Sequence, residues 1–451
     1  MNEKQLSFNH LWEDCGHQPQ KSVAKEIAGV MGSKGAFHMA NDLAFLIAYV
    51  DENLIALTKK HEFIPSKSLI EINEQLSIQT ENATIHSKQE YYPYIHLLYH
   101  LAIAGGLFEK VDGTGGKRQL HTTERAALFL TLKDTEKHYF LLETFWVDVN
   151  WSSLLGRNTD ILAIQLTEIF IAITSYTQPQ LGYEGHQMLL YLEWFGLWTC
   201  KKDEEKIKRD GRKNAFYVDE LTVTDFGRKV ITIMLYKRNP QWWNITHRRL
   251  FGELNPIPGT PFDIADAFGL KGDNRKTFDH YAKLDQSDES FIEPFKALYP
   301  HGELHNTLPR RIVKFVHGLH TFKVSWKKDV WRMVVLSAEN TMDSLHKMII
   351  KSYEFDDDHL YSFFMDGKKW SKHCIVSPYD DTGDPQATEI QIGAVGFTVN
   401  QCFLYLFDYG NEWLFTVEVS DIESRIQDLD MPYVESGSGA APRQYSDYDD
   451  W

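Results

Sequence analysis

The feature that most constrains this chain is a repeat in its first half. Residues 95–130 read "IHLLYHLAIAGGLFEKVDGTGGKRQLHTTERAALFL" and residues 187–233 read "QMLLYLEWFGLWTCKKDEEKIKRDGRKNAFYVDELTVTDFGRKVITI". Each opens with an apolar helix pattern ending in Gly-Leu, at Gly106-Leu107 and Gly196-Leu197. Glycine is the usual residue just past a helix end, where a positive φ is needed. A polar loop containing Gly and Lys follows in both, and each segment closes on a threonine able to cap a new helix: Thr122 or Thr123 before "ERAALFL", Thr224 before "DFGRKVITI". Helix, strand, polar loop, strand and capped helix make the closing half of a winged-helix unit. "SKSLIEINEQL" at 66–76 and "DILAIQLTEIFIAITSY" at 160–176 supply an earlier helix for each copy, and "HMANDLAFLIAYVDENLIAL" at 38–57 reads as an amphipathic helix covering the first. The expected organisation is a helical region at 1–62, winged-helix-like modules at 63–155 and 156–237, a connector rich in Pro, Gly and Trp at 238–312, and a further domain at 313–451.

The loops between the paired strands are where such units meet partners. The second, "KKDEEKIKRDGRK" at 201–213, holds seven basic and four acidic residues. Lys206, Lys208, Arg209, Arg212 and Lys213 are candidates to touch phosphates, and the first loop adds Lys117 and Arg118. The plainer reading is a mixed-charge, solvated loop. The whole chain of 451 residues carries a net charge of −16, and residues 421–451 hold eight acids against two arginines. Such a field repels bulk nucleic acid, whose affinity rests on phosphate neutralisation, yet leaves room for a local basic patch.

No apolar run reaches the roughly 18 residues a membrane span needs. The beginning, "MNEKQLSFNHLWEDCGHQ", has no apolar core of a signal peptide. Cys15, Cys200, Cys374 and Cys402 are scattered without a Cys-x-x-Cys pair, which argues against a disulfide framework or a thiolate zinc site and fits a reducing cytoplasm.

From about residue 313 the apolar period changes from helical to alternating. "HTFKVSWKKDVWRMVVLS" gives two strands around a Lys-Lys-Asp turn; "ENTMDSLHKMIIKSYEF" gives a helix with Met342, Leu345, Ile349 and Tyr353 on one face. "HLYSFFMD" is a strand. "LYLFDYGNEWLFTVEV" at 404–419 is a hairpin in which Cys402–Phe407 is apolar on both faces, hence central, and pairs antiparallel with 413–419. The fold class expected is α+β: a mostly helical N-terminal part with two winged-helix-like repeats, then an α+β domain of one helix on a mixed sheet.

Four patches of this domain resemble the plasmid pRiA4b open-reading-frame-three-like family, whose members are often labelled TnpR resolvases. "VWRMV" looks like the family's Ile-Trp-Arg-Arg strand and places Trp331 and Arg332; "LHKMIIKSYEFDDDHLYSF" is similar to its helix followed by Trp-Asp-Asp-Ser-His-Leu-His-x-Phe. "FDYGNEWLFTV" resembles its Tyr-Asp-Phe-Gly-Asp-x-Trp-x-His hairpin, and "YVESGSGAAPRQYSDY" its closing Gly-x-Gly-x-Cys-Pro-Pro-Glu-Asp segment. The departures matter. Tyr361 and Phe415 stand where the family pattern has histidines, Asn411 where it has Asp, and Ala441 and Arg443-Gln444-Tyr445 where it has a cysteine and carboxylates.

If the family gathers those groups into one site, this copy retains His359, Asp356 to Asp358 and Asp408. A tetrahedral metal site needs about four good ligands, so no metal or cofactor is expected. The residues left as possible ligand contacts are Asp408, Trp413, His359, Asp358, Trp331 and Arg332, with no catalytic residue assigned. The hairpin turn itself reads as structural, Asp408 tying it through backbone N–H groups. A serine recombinase needs a serine nucleophile among arginines, and none is found; a metal nuclease needs a carboxylate constellation, and "DDDH" at 356–359 reads as an acidic helix-end turn. The sequence therefore favours a non-enzymatic, nucleic-acid-linked regulator or adaptor of a plasmid or mobile element, with duplex DNA or a protein as partner and no membrane. The alternative is a protein-interaction scaffold without DNA binding. A resolvase or nuclease ranks last.

Overall fold

The computed structural model describes residues 38–81, 83–113, 117–157, 159–177, 179, 185–212, 215–260, 289–310, 313–382, 384–423 and 432–445. They divide into two compact units, one drawn from Met1–Arg238 and Glu289–Leu308, the other from Asn239–Asp288 and Pro309–Trp451. No helix among the described residues is long and apolar enough to cross a membrane.

The first unit is helical with two small sheets. Helix α1 (His38–Glu52) leads to the two-residue strand β1 (Ile55–Ala56), then α2 (Ser66–Gln75), α3 (Pro93–Ala104), β2 (Phe108–Asp112), β3 (Arg118–Thr122) and α4 (Glu124–Thr131). After α5 (Asp134–Glu143) and α6 (Trp151–Leu155) come α7 (Leu162–Thr174), α8 (His186–Trp194), β4 (Trp198–Lys202), α9 (Glu204–Asp210), β5 (Val218–Val223) and α10 (Asp225–Lys237). The first sheet has the order β1-β3-β2 and the second is β4-β5 alone.

The hydrogen bonds at the ends of the repeat recur in both copies. Gly106 and Gly196 both take positive φ, 66° and 83°. Behind them Leu107 N–H reaches Ala102 O and Leu197 N–H reaches Leu192 O, the 6→1 bond that ends a helix on glycine. Thr123 and Thr224 each cap the next helix, accepting from Ala126 N and Gly227 N. Each hydroxyl also donates to its helix-end glycine carbonyl, Gly106 O or Gly196 O, at 2.7 Å. One device thus closes a helix, aligns a hairpin and opens the next helix twice in the chain. The core beneath is aromatic. Trp146 stacks on Phe170 at 5.7 Å and gives its indole N–H to Arg238 O; Trp198 gives its own to Leu189 O.

Between β4 and β5 the expected loop is instead largely helix α9. Asp203 caps it by accepting Lys206 N, Glu204 and Glu205 occupy the positive first turn, Lys208 and Arg209 the negative last turn, and Gly211 ends it at φ 71°. Each of these choices favours a helix over a loop, and the density of charge had hidden them. Within the expected connector, Glu293–Leu298 forms a 3-10 turn.

The second unit begins with α11 (Pro240–Trp243) and α12 (Ile245–Leu250), capped by Asn239 and Asn244. Arg248 is fully buried there, its guanidinium shared among Glu253, Trp242 O and Ile257 O. Then follow β6 (Leu319–Lys327), β7 (Val330–Ser337), α13 (Met342–Tyr353), β8 (Tyr361–Phe364), β9 (Cys374–Val376), α14 (Ile392–Val395), β10 (Cys402–Phe407), β11 (Trp413–Glu423) and β12 (Tyr433–Ser438). They form one sheet of order β12-β7-β6-β11-β10-β8-β9.

Every neighbouring pair of these strands is antiparallel, which corrects the mixed sheet expected. The reason is connectivity. β6–β7 and β10–β11 are hairpins, and α13 carries the chain from β7 to β8 across three intervening strands rather than making a local crossover. β10 lies between β11 and β8, with Cys402 opposite Glu418 and Phe407 opposite Trp413, as its two apolar faces require. One sheet face, with Phe322, Val334, Tyr405, Phe415 and Val417, packs on the Met342, Leu345, Ile349 and Tyr353 stripe of α13. The other face carries a smaller cluster of Phe364, Cys374, Val376 and Leu406.

Candidate functional site

The polar groups of the second unit gather at one end of β8 and β10. Three segments meet there: the loop 354–360 that leaves α13, the β10–β11 turn and the closing segment after β12. Glu354 ends α13 in the left-handed region at φ 58°, which turns the loop back over the sheet.

Asp408 shapes the turn. It is buried, also left-handed at φ 56°, and its Oδ1 accepts Gly410 N–H and Asn411 N–H at 2.9 and 3.2 Å. Its Oδ2 accepts the Asn411 side-chain amide at 2.7 Å. Burial alone would raise this carboxyl, but those donors and the nearby His359 outweigh it and hold its pKa below the ordinary range. The imidazole Nε2 of His359 lies 3.5 Å from Asp408 Oδ2 and 3.6 Å from Asp358 Oδ1. Asp358 also accepts from Tyr445 OH and from Gln444 Nε2, and Gln444 bonds both the N–H and the C=O of Asp356. Gln444 and Tyr445, which stand where the family pattern has carboxylates, thereby fasten the closing segment onto the loop.

The six residues nominated in this domain do not share one place. Asp358, His359 and Asp408 form the cluster. Trp413 packs edge-on against Phe355 at 4.9 Å, half-buried at the rim of the core. Arg332 is structural: its guanidinium donates to Ser352 O, Trp331 O, Ser438 O and Gly439 O and lies 4.8 Å over the Tyr353 ring. Strand alternation puts Trp331 on the face away from α13, with the Lys323 ammonium 5.4 Å over its ring.

A second group was missed. His346 is buried on α13, its Nδ1 2.7 Å from Tyr405 OH and its Nε2 2.9 Å from Asp357 Oδ1, while its ring stacks on Tyr361 at 3.7 Å. An ionised carboxylate only accepts, so Nε2 carries the proton and Nδ1 accepts the Tyr405 hydroxyl. Tyr361 OH in turn donates to Asp343, which Lys347 also holds at 2.7 Å. Burial lowers the His346 pKa and the Asp357 carboxylate offsets part of that. The signal was available: His346 falls within the apolar stripe of its helix, where a polar residue requires partners. The relay ties the loop holding Asp358 and His359 to the helix and the sheet. Among the described residues no group of three or more His, Cys, Asp or Glu side chains is placed to hold a metal ion.

The turn gives a direct prediction. Asp408→Ala removes three accepted hydrogen bonds and puts an alanine at positive φ, and is expected to cost about 1–3 kcal/mol in urea unfolding. Asp408→Asn, which keeps an acceptor and tolerates that φ, is expected to cost less. Asp408 stabilises the fold at pH values above the ordinary aspartate range, and that contribution is lost as pH falls through its lowered folded pKa.

In the first unit three of the seven nominated cations, Arg118, Lys206 and Arg212, lie beside carboxylates. Lys206 pairs with Asp203 at 3.1 Å and Arg212 with Asp210 at 2.6 Å; Lys201 at the base of the arm pairs with Asp219 at 2.9 Å. Arg118 lies 3.7 Å from Glu62 and donates to Lys110 O. Lys117, Lys208 and Arg209 are exposed, and Lys213 lies outside the described residues.

A comparison with curated proteins finds no match. Among solved structures, a protein of unknown function from Methanosarcina mazei Go1 is 22% identical, covering 28% of this chain and 72% of that one with a TM-score of 0.25. The segment that contains the β10–β11 turn, the His346 relay and the closing strand, residues 321–446, matches the family described as plasmid pRiA4b ORF-3-like protein.

Proposed function

We propose that this chain is an adaptor that works by binding other proteins, its helix–hairpin segments serving as winged-helix-like docking modules rather than as duplex-DNA readers. The observation that carries this reading is the compensation of the second arm. Lys201, Lys206 and Arg212 face carboxylates of their own hairpin at 2.6–3.1 Å, in a chain of net charge −16. Phosphate contacts would have to displace those partners while the body repels the duplex. The family description names a plasmid reading frame, which supports a setting on a plasmid or other mobile element. Among the described residues, Cys200 and Cys374 carry free thiols, which fits a reducing cytoplasm. The polar cluster of the C-terminal domain supports the same reading, since Asp408 is engaged by donors of its own turn and Asp358 by Tyr445 of the closing segment.

A second reading, duplex DNA as partner, is favoured by Lys208 and Arg209, which stand exposed on the last turn of α9. Fluorescence anisotropy of a labelled 30-base-pair duplex at low salt separates the two. The adaptor reading predicts binding no tighter than about 10⁻⁴ M, the weak end of non-specific association. Micromolar or tighter binding that weakens with salt and disappears in Lys208→Ser/Arg209→Ser would establish the DNA reading instead.

A further inference from the structure

Beyond helix α9, the two helix–hairpin segments differ in one further respect. In the first, β1 lies on the outer edge of β3, with Ile55 opposite Leu120 and Ala56 opposite Gln119, and Leu57 N–H continues the ladder to Arg118 O. In the second, β4 and β5 form a sheet by themselves, and no strand lies on the outer edge of β5 among the described residues. The capping threonines fix the correspondence. Leu120 lies three residues before Thr123, and Leu221 three before Thr224, so Leu221 and Glu220 occupy the positions that β1 covers in the first copy. Both line a cleft of about 220 Å³, together with Val218, Asp219, His186 and Lys206. Leu120 is buried, whereas Leu221 is only partly so.

The edge has the chemistry of an acceptor. Thr224 N–H turns inward to Leu197 O on the β4 side, so alternation points the N–H and C=O of Leu221 outward. The Val218 N–H is taken by His186 Nδ1 at 3.0 Å, which leaves the ring proton on Nε2. Charge selects the occupant. Asp219 and Glu220 are exposed on the strand and share Lys201, while the Lys206 ammonium is held by Asp203.

We propose that the open edge of β5 binds an extended, lysine- or arginine-bearing peptide segment of a partner protein, which adds antiparallel to β5 where β1 adds to β3. This deepens the adaptor reading and rests on it. The backbone ladder supplies the affinity, and the carboxylates of Asp219 and Glu220 select a cationic segment.

The test uses the full chain and three acetylated, fluorescein-labelled hexapeptides: alternating Val-Lys, alternating Val-Glu and alternating Pro-Lys. The Val-Lys peptide is expected to bind saturably and to slow hydrogen exchange across Val218–Val223, the Val-Glu peptide to bind more weakly, and the Pro-Lys peptide, which carries the charge but lacks the N–H of every second residue and the freedom to extend as a ladder strand, not to bind. Leu221→Pro removes the outward N–H at an edge position that tolerates proline, and is expected to weaken Val-Lys binding about tenfold. Exchange at Arg118–Thr122 reports that the variant remains folded. Asp219→Lys/Glu220→Lys, at exposed positions, is expected to exchange the preference between Val-Lys and Val-Glu. Equal binding of Val-Lys and Pro-Lys, no protection by any peptide, or Leu221 N–H already protected in the free chain as strongly as Leu120 N–H would each overturn the proposal. A chain that binds the 30-base-pair duplex tightly yet pairs with Val-Lys contradicts the adaptor reading alone; one that binds neither contradicts the strand addition alone.

Discussion

Gly227→Ala is expected to destabilise the first unit by at least about 3 kcal/mol, because a side chain at this position has nowhere to go. A Cβ there would lie 1.7 Å from Leu197 O and 2.4 Å from Leu197 C. Both are backbone atoms, so no rotamer change relieves the clash. The close approach follows from the repeat device: the Thr224 hydroxyl accepts Gly227 N–H and donates to Gly196 O, and the Thr224 backbone N–H donates to Leu197 O, which draws the first turn of α10 against the start of β4. Relief requires α10 to move away, which breaks the cap and exposes Val230 and Met234. Gly211→Ala is the control. It places a side chain in open space but at φ 71°, and is expected to cost only about 1–2 kcal/mol of left-handed strain. Denaturant unfolding followed by circular dichroism checks both; equal midpoints for the two variants would mean that α10 does not approach β4 as described.

His346→Leu is expected to cost about 2–4 kcal/mol in the second unit, since it strands the fully buried Tyr405 hydroxyl and frees Asp357 from the helix. Because the loss comes from an orphaned polar group, Tyr405→Phe in the same chain is expected to restore part of it rather than add to it, and a double-mutant cycle measures that coupling. The pH dependence has a definite sign. The folded pKa of His346 lies below its ordinary value of 6.5, so the neutral ring's contribution is complete above that value and is lost as pH falls through the folded one. The wild type should therefore lose stability on acidification below about pH 6.5 more steeply than His346→Leu does. Parallel profiles for the two proteins would show that the imidazole is not the titrating group.

The fold was legible wherever one residue type has one physical use. Gly106 and Gly196 announced helix ends, Thr123 and Thr224 announced helix starts, and the run Cys402–Phe407, apolar on both faces, announced a central strand. Strand β1 was not legible, because two residues carry no period, and with it went the difference between the two hairpins. Helix α9 was obscured because its capping residues, Asp203 and the basic last turn, are also the composition of a solvated loop. The antiparallel sheet was a matter of which strands meet, which a local pattern does not encode. At the site, Asp408 and its turn were readable from Asp-Tyr-Gly-Asn, while the His346–Asp357–Tyr405 relay joins a helix, a loop and a strand spread over sixty residues of chain. Its only local trace was a histidine among apolar residues.

The central claim is that carboxylates of the second hairpin neutralise its cations and turn the chain away from DNA. Removing those carboxylates tests it most directly. Asp203→Asn/Asp210→Asn/Asp219→Asn/Glu220→Gln keeps an N-cap at residue 203 and frees Lys206, Arg212 and Lys201. Anisotropy of the 30-base-pair duplex is measured for wild type and variant across a salt series. The account predicts a flat wild-type titration and a variant that gains binding, with a log–log salt slope of about −3, one counterion released for each freed cation. A wild type that already binds with the same affinity and slope as the variant would contradict the account.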